Sequence, residues 1–167
     1  MKKIVLGLIA ALVFIGCSSD TKVDVNVEPA LVVGKSLADF KLNDQFEAPH
    51  ALSTKTTKLI FAFSKDMAHT CNDYFVTKED TYLSDHNTQF VADVSAAPSI
   101  IRNMFILPGL KDFKHTVLLL DKKEVAAPFK ANIDAEKIIV VYIKGMTISQ
   151  IETISTKEEL IAAIESK

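Results

Sequence analysis

The chain has 167 residues, 49% of them apolar, with 19 Lys and Arg against 21 Asp and Glu for a formal charge of −2. That is enough chain for one domain with its own core, and a mildly acidic, lysine-rich sequence with a single arginine, Arg102, has no electrostatic footprint for nucleic acid. The only cysteines are Cys17 and Cys71, too few for the disulfide framework of a small stapled fold.

The first eighteen residues carry Lys2 and Lys3, an uncharged apolar run from Ile4 to Ile15, then Gly16 and Cys17. This is the three-part layout of a secretory signal. The run is shorter than the ~20 apolar residues that span a bilayer core. Phe14-Ile15-Gly16-Cys17 resembles the lipobox of bacterial lipoproteins, with Phe14 where Leu is usual. The resemblance implies cleavage before Cys17 and a covalent lipid on its thiol, with no other cofactor. Ser18 stands where Asp would retain the protein at the inner membrane, so the resemblance implies the periplasmic face of the outer membrane of a bacterial envelope. An ordinary signal peptide with an incidental cysteine is the alternative. The expected organisation is a signal peptide over 1–16, a lipidated tether over 17–33 and a folded domain over 34–167. Cleavage removes two lysines and leaves a formal charge of −4. Cys71 is then the one free thiol in an oxidising compartment, and no intrachain disulfide forms.

After a polar start, Val23-Asp24-Val25-Asn26-Val27 alternates like a strand and breaks at Pro29. Ala38, Phe40 and Leu42 predict a half-buried strand closed by the turn residues Asn43-Asp44-Gln45. Leu59 to Phe63 is a continuous apolar run, the pattern of a strand buried on both faces. A crossover helix is predicted over Cys71 to Leu83 with Thr70 as N-cap, and a strand over Phe90 to Val94. Pro98 then opens a helix bearing Ile100, Ile101, Met104 and Phe105, expected to stop before Leu107-Pro108-Gly109. Thr116 to Leu120 predicts a buried strand closed by Asp121-Lys122-Lys123. Ile138 to Ile143 and Thr147 to Ile154 predict a hairpin about Lys144-Gly145, and Thr156-Lys157-Glu158-Glu159 reads as a capping box opening a last amphipathic helix. Alternating strands and helices of this kind make a mixed α/β sheet flanked by helices.

From Gly34 to Ile164 this order resembles the thioredoxin fold, in its peroxiredoxin-like branch. VVYIKGMTISQIETISTKEELIAAI resembles the terminal strand, Gly turn, strand and helix of thioredoxins. HTVLLLDKKEVAAPF resembles the strand, Asp, turn and short helix that precede it in peroxiredoxins. The chemical motifs of both families are missing. Where thioredoxins have Cys-x-x-Cys, this chain has Cys71-Asn72-Asp73-Tyr74. Aligned on Cys71, the peroxiredoxin pattern Pro-x-x-x-Thr-x-x-Cys finds Ser64 and Ala68 at the Pro and Thr positions. Ala135-Glu136-Lys137 has no counterpart of the cis-Pro, and Lys137 is the cation nearest to the peroxiredoxin Arg position. Lysine does not replace a planar, bidentate donor.

Cys71 near a helix N-terminus, with His69, Thr70 and Lys137 as supporting residues, would be a lowered-pKa nucleophile. The opposite reading is a small apolar residue beneath the helix. His69 and Cys71, with His115, His50 or His86 brought near, form a weaker candidate for copper or zinc. The carboxylates Asp66, Asp73, Glu79, Asp80 and Asp85 read as a solvated face. Because function is argued from the site and this site is stripped, the expectation is a degenerate thioredoxin-like domain acting as a binding module for an unknown envelope protein. The alternative is a single-cysteine thiol oxidoreductase or peroxidase whose resolving thiol comes from another molecule. The oligomeric state is left open.

Overall fold

The run Leu59–Ala62 forms the centre of the molecule, each of its side chains wholly enclosed. A computed structural model of the protein describes residues 27–166; the predicted signal, the candidate lipidation site Cys17 and most of the predicted tether lie outside them. In chain order the described elements are β1 (Lys41–Asp44), β2 (Pro49–Ala51), β3 (Lys58–Ala62), α1 (Lys65–Phe75), α2 (Tyr82–Asp85) and β4 (Thr88–Asp93). A helical run follows, made of α3 (Ser99–Ile101), a π-turn (Arg102–Ile106) and α4 (Leu107–Leu110). The chain ends with β5 (Leu118–Leu120), α5 (Lys123–Lys130), β6 (Ile138–Lys144), β7 (Thr147–Ile154) and α6 (Lys157–Glu165).

The seven described strands form one sheet in the order β2-β1-β5-β4-β3-β6-β7. β3, β4 and β5 are parallel, with Ile60 opposite Phe90 and Ala92 opposite Leu119, while β6 is antiparallel to β3 and β7 antiparallel to β6. Parallel neighbours need crossovers, which α1 with α2 and the α3–α4 run provide. Alternating side chains of the central strands feed two cores. One joins Ile60, Ala62, Phe90, Ala92 and Val140 to α1, α4 and α6. The other joins Leu59, Phe61, Val91 and Val141 to α5 and to Leu31, Leu37 and Phe40.

The expected C-terminal hairpin forms, but its two-residue turn is Gly145-Met146 and not Lys144-Gly145: Lys144 still pairs with Thr147, and Gly145 and Met146 both have the positive φ that a type I′ turn requires. The capping box is complete: Thr156 accepts from the Glu159 amide while Glu159 accepts from that of Thr156. The carboxylates of residues 66, 73, 79, 80 and 85 are exposed, as a solvated face requires.

Four further expectations are corrected. The crossover helix begins at Lys65, six residues before Cys71, because β3 ends at Ala62 and extended Ser64 (φ −114°, ψ 159°) is the N-cap. It ends at Phe75 rather than Leu83, since the chain turns through Val76 and Thr77 before the separate α2. The helix after Pro98 runs on through Pro108 by widening: the Leu107 amide reaches back five residues to the Arg102 carbonyl. Proline cannot donate the bond that the Met104 carbonyl would accept in a regular helix, and a π-turn absorbs that defect. Finally, Asn43 and Asp44, expected in a turn, are the last residues of β1 and pair with β5; along the 99–110 run the core contacts come from Ile106, Leu107 and Leu110, and Ile100, Ile101, Met104 and Phe105 lie on the outside. In addition, β2 was not expected, and the described end of the predicted tether is part of the fold: the Ala30 amide donates to the Pro128 carbonyl and Leu31 is buried.

Candidate functional site

Cys71 is the seventh residue of α1, so it sits nearly two turns from the helix N-terminus, where the unpaired amides and the dipole no longer act. Its side chain is 0% exposed within the core built from Ile60, Ala62, Phe75 and Leu160. Burial pushes the thiol far above its ordinary pKa, the opposite of what an activated nucleophile needs. The structure thus places Cys71 as a thiol held protonated by its apolar surroundings.

The supporting residues are not gathered around it. His69 is exposed, and residues two apart on a helix do not face each other, so His69 and Cys71 do not converge on one ion. Thr70 donates its hydroxyl to the Asp66 carbonyl one turn back, at 3.0 Å, and caps nothing. Lys137, just before β6, acts on the Glu159 carboxyl. That carboxyl is held below its usual range first by the Ser155 and Thr156 amides and also by the Lys137 charge.

His115 is close to α1 but already committed. Its Nε2–H donates to Oδ1 of Asn72 at 2.9 Å, and its carbonyl accepts from Gln45 Nε2 at 2.9 Å. Gln45 Oε1 accepts the Val117 amide. Phe113 stacks on the imidazole and Phe75 meets it edge-on. Only 3% of His115 is exposed, and burial lowers its pKa to about 4, so the ring is neutral with its buried Nδ1 unpartnered. His50 contacts Asp44 Oδ2 through Nε2 at 2.8 Å, and His86 donates from Nδ1 to the Tyr82 carbonyl. Among the described residues no three His, Cys, Asp or Glu side chains are placed to share a metal ion.

Sequence reasoning did not find the polar groups at the C-terminal ends of the parallel strands, the usual ligand edge of such sheets. There the wholly buried Asp93 carboxylate accepts from Lys130 Nζ and from the Ser95 amide, both at 2.8 Å. Arg102 donates to the Asp121 carbonyl. An open groove of about 580 Å³ runs between the β1–β2 hairpin and the π-turn, lined by Gln45, Glu47, Arg102, Asn103, Lys111 and Asp121 among others. A second hollow of about 270 Å³ is lined by His50, Asp80, Ser84 and Gln89 with apolar neighbours. Neither is lined by Cys71.

No family model matches the chain, and no curated protein matches it. Solved structures do. A peroxidoxin, BcpB, from Mycobacterium tuberculosis superposes with a TM-score of 0.50 at 19% identity, over 79% of this chain and 93% of its own. A peroxiredoxin-like protein from Aquifex aeolicus gives 0.51 at 10% identity, over 83% and 89%. The thioredoxin domain of a thiol-disulfide oxidoreductase from Bacteroides vulgatus gives 0.51 at 13% identity, over 81% and 96%. Identities this low speak for architecture and not for activity. With the strand order, the parallel β3–β4–β5 core and the closing hairpin and helix described above, they establish that this protein has a thioredoxin-like fold.

Proposed function

We propose that this protein is a lipid-anchored lipoprotein of the bacterial envelope whose thioredoxin-like domain serves as a binding module without thiol chemistry of its own. The observation that carries this reading is the position of Cys71: the one described cysteine is fully enclosed in the second turn of α1, with its thiol held protonated. The first turn of the helix after β3 therefore exposes Lys65 and Asp66, with the Ser64 hydroxyl buried, and carries no sulfur. The anchor rests on the lipobox-like segment ending at Cys17 and on the polar tether that follows it.

A second reading, thiol redox through Cys71, is favoured by the company the fold keeps, since a peroxidoxin and a thiol-disulfide oxidoreductase share it. In that chemistry peroxide oxidises the thiolate to sulfenic acid and is itself reduced to water; a thiol from another molecule condenses with the sulfenic acid to a mixed disulfide and water, and a second external thiol reduces that disulfide to regenerate Cys71. The two lines of support disagree. We weight the geometry, because shared architecture at such identities hosts unrelated functions, whereas burial acts directly on the reacting atom.

The test is alkylation of the native protein across pH, with sulfenic acid trapped under peroxide. The binding-module reading expects slow labelling that accelerates on unfolding. Rapid labelling with a pKa well below the free value of about 8.5 would establish the redox reading instead. For the anchor, Cys17→Ser expressed in a bacterial host should abolish both cleavage and sedimentation with membranes. Retention of both would refute lipidation.

A further inference from the structure

Four large apolar side chains of the helical run after Pro98 form an exposed face: Ile100 at 68%, Ile101 at 45%, Met104 at 64% and Phe105 at 65%. The π-turn assembles them. Widening the helix to five-residue hydrogen bonding brings positions four and five apart onto one side, so 100 stacks with 104 and 105, and 101 with 105. Phe46, also exposed, stands on the β1–β2 turn whose neighbours Gln45 and Glu47 line the same groove as Arg102 and Asn103. Contiguous apolar faces of this sort mark contact surfaces.

We propose that this face seats in a lipid surface, the bilayer to which the tether is held; the inference thus rests on the envelope-anchor reading. Two observations select a membrane. The first is charge. Residues 98–114 carry Arg102, Lys111 and Lys114 against the single carboxylate Asp112, a formal +2 in a chain whose total is −2. The groove beside the stripe also holds the carboxylates Asp44, Glu47 and Asp121, but the segment that bears the stripe is itself cationic, and an apolar stripe on a cationic segment suits the acyl–headgroup boundary of a bilayer with anionic lipid. A second copy of the chain fits poorly, because a two-fold contact sets the same cations against one another.

The second observation is reach. Arg102 is bonded to Asp121, just before α5, and the incoming chain is bonded through Ala30 to Pro128, near its end. The face and the root of the tether therefore flank one short helix, a span on the order of 10 Å at 1.5 Å per residue. The nine residues between Cys17 and Val27 extend to roughly 30 Å. A bilayer holding Cys17 is within range of the face without straining the chain.

The experiment uses residues 17–167, which retain every described residue, coupled through the Cys17 thiol to a maleimide lipid in vesicles containing anionic phospholipid. Enclosed Cys71 leaves Cys17 as the reactive thiol. Hydrogen exchange is followed by mass spectrometry on the vesicle and in solution. Amides of 99–107 should exchange roughly tenfold more slowly on the vesicle, the Ile100→Ser/Phe105→Ser variant should lose that protection, and α6 should exchange alike in both settings. Equal exchange of 99–107 on and off the vesicle overturns the proposal. Protection that appears in solution and grows with protein concentration also overturns it, in favour of self-association. Chemical coupling separates the two readings: absence of acylation in the cell leaves this result standing, and absence of protection leaves the lipobox reading standing.

Discussion

Replacing Cys71 distinguishes a packed thiol from a functional one by thermodynamics alone. Cys71→Ala removes one wholly buried sulfur from the core shared by Ile60, Phe75 and Leu160, a loss of about 1 kcal/mol in transfer and contact energy. Cys71→Ser removes the same apolar atom and adds a hydroxyl that must be desolvated. The acceptor within its own helix is the Met67 carbonyl four residues back, which meets part of that demand, so the total is about 2 kcal/mol. For a domain of this size each kcal/mol moves Tm by about 3 °C. Thermal and urea unfolding should thus rank wild type above Ala above Ser, with Ser about 6 °C below wild type. A nucleophile held in a strained, functional setting behaves otherwise, because removing it relieves strain. If Cys71→Ser is as stable as wild type or more so, the packing account is wrong.

Three further outcomes are expected. His115 has its folded pKa lowered to about 4, so the unfolded chain takes up a proton that the folded one refuses. Stability should then fall as pH drops from about 6.5 to about 4, by up to about 3 kcal/mol, and His115→Gln, which cannot protonate but can still donate to Asn72, should flatten the slope in urea titrations. Lys130→Ala leaves the wholly buried Asp93 with the Ser95 amide as its remaining partner and should cost about 2–3 kcal/mol; adding Asp93→Asn should recover part of it, and a double-mutant cycle measures the recovery. Thr156→Ala opens the capping box of α6 and should cost about 1 kcal/mol in the same assay.

What could be read in advance depended on whether one residue type had one physical use. The LIFAF run has too few polar residues to be anything but a central strand, and Thr156 with Glu159 before an apolar run has a single local solution; both are found. Ser64 and Thr70 are equally good N-cap types. The choice between them depends on where β3 releases the chain, a tertiary matter, and that choice moved Cys71 from the helix start into its body. Helical periodicity in 98–110 shows where apolar residues line up but not which of two apolar stripes faces inward. Ile106, Leu107 and Leu110 took the core, leaving the other stripe outside. The Gln45–His115–Asn72 network joins residues far apart in sequence, and no local signal announces it. β2, with one proline and no apolar alternation, is defined by its pairing with β1 alone.

The two readings of Cys71 reduce to one measurable question: what must move before the sulfur meets a reagent. As folded, α1 has to leave the sheet. It is held there by the Asn72–His115 bond one residue beyond the thiol, by the Tyr74–Tyr82 hydroxyl pair at 2.9 Å, and by Lys78 and Lys157 over the Tyr74 ring. Opening is therefore a sub-global event shared by the thiol and the helix amides, and both report the same free energy. Asn72→Ala removes a clamp without touching the sulfur, so it should raise the alkylation rate of Cys71 and the exchange rate of the α1 amides by the same factor. If alkylation is fast while the α1 amides stay protected, solvent reaches the sulfur with the helix in place. The enclosure on which the binding-module reading depends then does not exist, and the redox reading takes its place.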